Sequence, residues 1–294
     1  MTTGVELLES LDDFLACEHL QRRLLGEQAG ASILGVPTLR AVAESGGVVL
    51  GIREGGLSRE LVGVLVDLAT TWEGFPALFS VVFGVSPEAR NRGLGLALRQ
   101  AERRSALAQD IEVIRTWVDP LRSVECHLLW NRLGAIGTRY ERNLFGELPD
   151  RLHRGLATDR VHVEWWLRSP RALALLEQGV SAMQLHAGLH EMAAATRTSV
   201  GSAGHRVLVE VRSETDAANV LAEVPVDLDR LRDDDPAEAR KWRLGTRELF
   251  ERLLSTGYLL GGLVHEGGRS FQLFVRRDRS RVLGEGEARV RSVS

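Results

Sequence analysis

The chain reads as an α/β layered protein, and three observations predict this. Apolar runs of strand length alternate with stretches of helical period through its first half. One such run, Leu78 to Val85, passes straight into a helix-period stretch through a glycine-bearing turn. The next run, Ile111 to Val118, is rich in β-branched residues and again precedes a helix. Strands and helices interleaved in this way pack as layers.

Leu7, Leu8, Leu11, Phe14 and Leu15 keep helical spacing, and Leu24 and Leu25 resume an apolar face, so a helix is predicted over Leu7 to Leu25. Pro37 to Ser45 reads as a short second helix. Gly47 to Arg53, Leu61 to Ala69 and Phe75 to Val85 form a meander of three strands, with turn residues from Glu54 to Ser58. A helix over Leu94 to Leu107 and the strand Ile111 to Val118 follow. Arg122 to Leu133 returns to helix, and Gly134 is a fitting stop residue. Ala135 to Tyr140 and Val161 to Leu167 are the next strands; Trp165 and Trp166 alternate onto opposite faces of the second.

Ser169-Pro170 marks a boundary. Arg171 to Ala194 reads as helical, Thr196 to Gly204 as a polar connection and Val207 to Val211 as a strand. Asp235-Pro236 starts a helix to about Leu254, since proline suits a first turn that needs no N–H. Two strands after Gly257-Tyr258 end near Val275.

Bulk properties exclude several classes. The net charge of −3 argues against a general nucleic-acid surface. Of the 37 Lys and Arg residues only Lys241 is a lysine, so a Walker loop and lysine Schiff-base chemistry are excluded from the N-terminal half. Cys17 and Cys126 are too few and too isolated for a metal site or a disulfide framework; both read as buried, inert thiols. No metal is expected. No apolar run reaches the ~18 residues of a membrane span and no leader pattern opens the chain, so no membrane association and a cytoplasmic location are expected.

The chemistry concentrates in Arg90-Asn91-Arg92-Gly93-Leu94-Gly95. The first turn of a helix carries orphan N–H groups and a partial positive charge, a ready seat for phosphate. Glycine lets backbone approach an anion, and arginine adds paired donors. An ordinary solvated helix start is the plain alternative. A dinucleotide fingerprint is disfavoured, because no third glycine stands at Leu98.

Val85-Ser86-Pro87-Glu88-Ala89 followed by that turn resembles the acyl-CoA-binding signature of the GNAT superfamily of N-acyltransferases, R/Q-x-x-G-x-G/A after a strand and a V-x-P segment. Trp130-Asn131-Arg132-Leu133-Gly134-Ala135 looks like the superfamily's L-Y-x-K-x-G-F step. Asp119-Pro120-Leu121, Tyr140 to Gly146, Thr158 to Leu167, Val224 to Asp227, Trp242-Arg243, Arg247, Phe250 and Gly257-Tyr258 resemble a bacterial group of predicted GNAT acetyltransferases with a C-terminal extension. The resemblance implies a mixed, mostly antiparallel central sheet flanked by helices in residues 1–168. Residues 169–294 would form a smaller α+β domain, serving as acceptor pocket or dimer interface in a homodimer. It also implies acetyl-CoA or another acyl-CoA, such as succinyl-CoA, as co-substrate. The expected acceptor is a small-molecule amine, with an amino acid or derivative as the expected class.

Carried onto this chain, the family's site places pyrophosphate on the amides of Gly93, Leu94, Gly95, Leu96 and Ala97. Arg90, Asn91 and Arg92 form the charged turn. Val82, Phe83, Gly84 and Val85 would pair with the pantetheine arm like an added strand, with Gly84 leaving room. A backbone N–H of that strand would polarise the thioester carbonyl. Members often protonate the leaving thiolate with a tyrosine at the position held here by Trp130, whose indole is no useful acid. Tyr140 is the candidate donor, against a packing role. Asp119 is a candidate base at a strand's carboxyl end, against a role as turn former. Glu125 and His127 stand where an asparagine is usual and are further candidates. Arg243 and Arg247 share a helix face and either pair with acids or clamp a carboxylate. Asp233 to Asp235 is most simply a solvated loop and cap. Besides catalysis, the sequence leaves open a catalytically altered GNAT-like protein that binds acyl-CoA as a sensor or assembly module.

Overall fold

The computed structural model describes residues 4–55, 59–177, 192–201, 204–212 and 214–284. Contacts divide the chain into two compact units, Met1–Thr116 with Leu148–Arg154, and Trp117–Glu147 with Gly155–Ser294. That division falls elsewhere than the 168/169 boundary drawn from the sequence. The reason is that residues 117–147 and 155–168 are tied to the C-terminal helices and strands by contacts such as Trp130 to Gln272 and Arg247 to Asp159.

In the first unit the strands run in the order β1 (Val5–Leu7), β2 (Val48–Glu54), β3 (Glu60–Trp72), β4 (Phe75–Val85) and the start of β5 (Val113–Val118). All neighbours are antiparallel except β4 and β5. Glu73 and Gly74, both at positive φ (49° and 86°), make the tight turn between β3 and β4. The first helix, α1 (Leu11–Leu25), begins later than the apolar spacing predicts. Ser10 Oγ accepts from the Asp13 N–H at 3.2 Å, while the Ser10 N–H donates to Asp13 Oδ2 at 3.1 Å. This reciprocal cap fixes the start, and residues 5–7 pair with β2 instead.

Helices α1 and α2 (Val36–Glu44) cover one face of the sheet. Phe14, Cys17, Leu20, Leu39 and Val42 close there on Val49, Leu61, Val64 and Val66. Burial pushes the Cys17 thiol up to about 12, so it is inert as predicted. Helix α3 (Leu94–Ala108) covers the other face, with Leu98 over Gly63, where a Cβ would stand 3.2 Å from Leu98 Cδ1.

The second unit holds β6 (Ile136–Glu141), β7 (Arg160–Trp166), β8 (Met192–Ala194), β11 (Asn219–Val224), β12 (Leu259–Glu266) and β13 (Arg269–Val275), ordered β7-β6-β12-β13-β11-β8. Among the described pairings there, β8 and β11 run parallel. A separate ribbon joins β9 (Thr196–Val200) to β10 (Arg206–Val211). Both units are thus mixed, mostly antiparallel sheets with helices against them, in accord with the fold class read from the sequence. Helix α4 (Ser123–Cys126) continues as a π-helix, His127–Leu133, ended by Gly134 at φ 77°. Further helices among the described residues are α5 (Pro170–Leu176), α6 (Leu228–Asp234), α7 (Pro236–Ser255) and α8 (Arg279–Leu283).

Three expectations are corrected. The helix read over Arg171 to Ala194 stops at Leu176, and residues 192–194 are strand; residues 178–191 lie outside those described. The polar connection at Thr196 to Gly204 is mostly β9, whose Thr196 and Thr198 spend their hydroxyls on β11. Strand β11 itself was not anticipated, although it lies almost wholly buried. Asp235, in contrast, caps α7 as read, accepting from the Glu238 N–H at 3.0 Å. Trp165 is buried and Trp166 half-exposed, as their alternation requires. Among the described residues no helix is long and apolar enough to cross a membrane.

Candidate functional site

The site in the first unit starts where β4 changes partners. The register of β3 and β4 slips between Val66 and Asp67, so Val66 faces Val82, Asp67 faces Ser80, and Val81 is the extra residue of a bulge. Pairing of β4 with β5 comprises Leu78 with Ile114 and Phe79 with Arg115, and Thr116 Oγ1 then donates to the Ser80 carbonyl at 2.9 Å. Beyond this point Val82, Phe83, Gly84 and Val85 keep β3 as their partner, and among the described residues of this unit the register with β5 ends at Phe79 and Arg115. A half-buried strand with one edge released is the backbone geometry that an extended ligand can complete. Gly84 also has a packing role. A Cβ there would lie 2.6 Å from Leu24 Cδ1, so its smallness admits α1 on the helical face of the sheet.

After β4 the buried Ser86 leads into a single 3-10 turn, Pro87–Ala89. Asn91 (φ 60°) and Gly93 (φ 78°) then turn the chain through the left-handed region, which asparagine and glycine tolerate best. Gly93 is the N-cap of α3 and so supplies no side-chain cap, and the first turn holds no acidic residue. Nothing lies within 4 Å of where a Gly93 side chain would begin. The first bond of the helix runs from the Ala97 N–H to the Gly93 carbonyl at 3.0 Å. Ala97 therefore spends its amide on the helix. The amides of Leu94, Gly95 and Leu96 are the orphans of the first turn, at the end where the helix dipole favours an anion.

The charges around this turn are unequal in their freedom. Arg92 makes a two-pronged pair with Glu54, the last residue of β2, at 2.7 Å on each side. Arg23 of α1 bridges Glu60 and Glu88. Arg90 engages only its Nε, on the Val85 carbonyl at 3.1 Å, and among the described residues it has no carboxylate partner. Its terminal nitrogens are the donors that remain for an incoming anion.

The candidates for proton transfer lie in the second unit, within or beside a buried ion-pair network. Arg243 grips Asp119 with both terminal nitrogens, one at 2.9 Å, and both side chains are buried. Arg160 and Arg122 stand 4.0 Å from the same carboxylate. Burial alone would raise the Asp119 pKa, but Arg243, with Arg160 and Arg122 behind it, holds the carboxyl well below the usual range. Tyr140 donates its hydroxyl to Asp159 at 2.6 Å. Burial first, and then the Asp159 charge, push the phenol's pKa up. Asp159 also receives Arg247 at 2.8 and 2.9 Å and the Asn143 N–H at 3.0 Å. Arg243 and Arg247 thus pair with acids, the plainer of the two roles read for them.

Glu125 and His127 stand apart from this network's centre. Glu125 is half-buried on α4, and its charge acts on Arg122 and Arg160. His127 is exposed at the start of the π-helix, 3.2 Å from the Asn131 amide. Partial desolvation, then Arg132 and His265, lower its pKa. Trp130 is fully buried and donates to Gln272 at 3.1 Å, which makes it a packing residue. Asp159, Glu54 and the buried Asp67 were missed in the sequence. Asp159 and Glu54 are each defined by a partner distant in the chain and Asp67 by its burial beside Arg99 and Glu102, and no local spacing marks them.

No protein-family model matches the chain, and no curated protein sequence does either. Solved structures similar to it include acetyltransferases, several of them of the GNAT family. The ribosomal-protein-S18-alanine N-acetyltransferase of Escherichia coli is 13% identical and covers 56% of this chain and 93% of its own, with a TM-score of 0.43. A probable acetyltransferase from Staphylococcus epidermidis is 12% identical, covers 55% of this chain and 98% of its own, and has a TM-score of 0.44. A GNAT family acetyltransferase from Elizabethkingia anophelis with acetyl-CoA bound is 13% identical, covers 45% of this chain and 83% of its own, and has a TM-score of 0.35. Likenesses at this level leave the functional reading to the chain's own geometry.

Proposed function

We propose that the chain binds an acyl-CoA at the β4–α3 turn and transfers its acetyl or succinyl group to the amine of a small molecule, an amino acid or derivative. The observation that carries this reading is the pairing of a released β4 edge with an uncapped, acid-free helix start that closely follows Arg90 and Asn91. The orphan amides of Leu94, Gly95 and Leu96, with Arg90, suit a pyrophosphate. The free edge over Val82 to Val85 suits an amide-bearing arm, and a backbone N–H there would stabilise the oxyanion.

In this reading the amine nitrogen attacks the thioester carbonyl, the C–S bond breaks, and the acyl group leaves on nitrogen. The amine gives up a proton and the departing thiolate gains one. Held in place, the two reactants gain most of their advantage from positioning. His127, whose pKa is lowered by partial desolvation, is one candidate to accept the amine's proton, directly or through water. Glu125 is the second candidate. Asp119 is ionised but committed to Arg243. Tyr140 would have to release Asp159 before donating, so water is the simpler source of the thiolate's proton.

Those two commitments favour a second reading, a protein that binds acyl-CoA as a sensor or assembly module without turnover. Calorimetry with acetyl-CoA, succinyl-CoA and free CoA, followed by a screen of amine acceptors for thiol release, separates the readings. Binding with thiol release supports the transferase, and binding without it across the acceptors supports the sensor. Absence of binding at millimolar ligand refutes both.

A further inference from the structure

The strand pairing sets two carboxylates against each other beside the turn. Glu54 closes β2 and Glu60 opens β3, and the two are register partners. Like charges directly opposite on a sheet repel, so each needs a cation. Arg23 serves Glu60. Glu54 takes Arg92, through both terminal nitrogens at 2.7 Å. The Glu54 side chain is 19% exposed and that of Arg92 53%, so the pair stands at the surface with Glu54 beneath and Arg92 outermost.

Arg92 follows Asn91 at the left-handed bend and precedes Gly93, and it lies two residues from the first orphan amide. An anion seated on those amides would meet an arginine whose charge is already balanced. We propose that Glu54 is an internal competitor for Arg92, and that it sets the affinity of the turn for its phosphate ligand. The inference rests on the reading of this turn as a pyrophosphate seat and adds to it a residue that contributes no donor of its own. A diphosphate must share Arg92 with Glu54 or draw it away, which would leave Glu54 facing Glu60. The turn therefore binds multiply charged phosphate less tightly than its two arginines alone would allow, and Arg90 supplies the net charge.

The test uses the full chain and its Glu54→Gln, Arg92→Gln and double variants, with inorganic pyrophosphate and CoA as probes in calorimetry. A unit charge about 6 Å away in a water-like dielectric alters binding about threefold, so a ligand with two charges senses it about tenfold at low salt. Glu54→Gln should tighten binding through the two-charge diphosphate of CoA by about that factor, and that of the more highly charged inorganic pyrophosphate by more, and both gains should shrink as salt is added. Arg92→Gln should weaken binding, and the double variant should return close to the unmodified chain, because it exchanges a neutral pair for a neutral pair. Circular dichroism and thermal unfolding verify that each variant is folded. Binding that is unchanged or weakened in a folded Glu54→Gln variant overturns the inference, because Glu54 would then be holding Arg92 in place for the ligand. Failure of both the unmodified chain and Glu54→Gln to bind either probe would instead overturn the reading of the turn itself.

Discussion

Asp67→Asn should make the protein more stable, and increasingly so as the pH rises. Asp67 is fully buried on the face of β3 that meets α3, beside Ser80 of β4 and beneath Arg99 and Glu102 of α3, all of them buried. Arg99 Nη1 donates to Ser80 Oγ at 2.9 Å and to Glu102 at 2.8 and 3.0 Å, and the guanidinium lies 4.3 Å over the Phe83 ring. That single positive charge is matched by Glu102. Neither Asp67 oxygen makes a hydrogen bond of good geometry. Burial first, and then the Glu102 charge, outweigh Arg99 and raise the Asp67 pKa well above the ordinary range.

The native state therefore holds a proton that the unfolded chain releases near pH 4. A raised folded-state pKa means that the stability is fully present below the unfolded value and is lost as the pH climbs through the folded one. Within that window the loss is about 1.4 kcal/mol per pH unit. Asparagine keeps the shape and a donor for Glu102 but does not titrate. Urea unfolding of both proteins by circular dichroism between pH 4 and pH 8 should show curves that agree at pH 4 and diverge upward. A constant difference across that range would refute the buried proton.

Gly93→Glu should abolish acetyl-CoA binding in calorimetry, since it sets a carboxylate at the helix start, with a cost in melting temperature from a side chain at φ 78°. Tyr140→Phe should lower stability by about 1 kcal/mol, because Asp159 retains Arg247 and Asn143 as donors, and should leave turnover within about threefold; a loss near ~10²-fold would make the phenol the proton donor. Arg243→Met should cost about 3 kcal/mol in chemical denaturation, at the low end for a broken buried pair because Arg160 and Arg122 still face Asp119. Adding Asp119→Leu to Arg243→Met should recover little of that loss, because the buried Arg160 then loses the Asp119 charge.

The features that were legible in the sequence are those written locally. The β4 run, Gly93 and the apolar period of α3 predict the strand–turn–helix, and Gly134 ends its helix as read. The first helix was misjudged by four residues because the spacing of Leu7 and Leu8 mimics a helix, while Ser10 and Asp13 carry the real start. β9 and β11 were missed for another reason. Thr196 and Thr198 look like a linker until the fold brings in Glu223, whose N–H donates to the Thr196 hydroxyl and whose carboxylate accepts from Thr198.

The site shows the same divide. Asp119 and Arg243 were each singled out, but their pairing across 124 positions is a property of the fold, and it turns a candidate base into a committed anion. Arg92 and Glu54 are 38 apart and follow the same rule. Gly84 is the sharpest instance, since one residue supports two physical accounts. Read along β4, its missing side chain is space for a ligand; read across the sheet, it is space for Leu24. The released edge of β4 survives that change of account, because edge and face are different directions on a strand. A ligand that adds to β4 as a strand needs the backbone groups along the edge, and Leu24 occupies only the face.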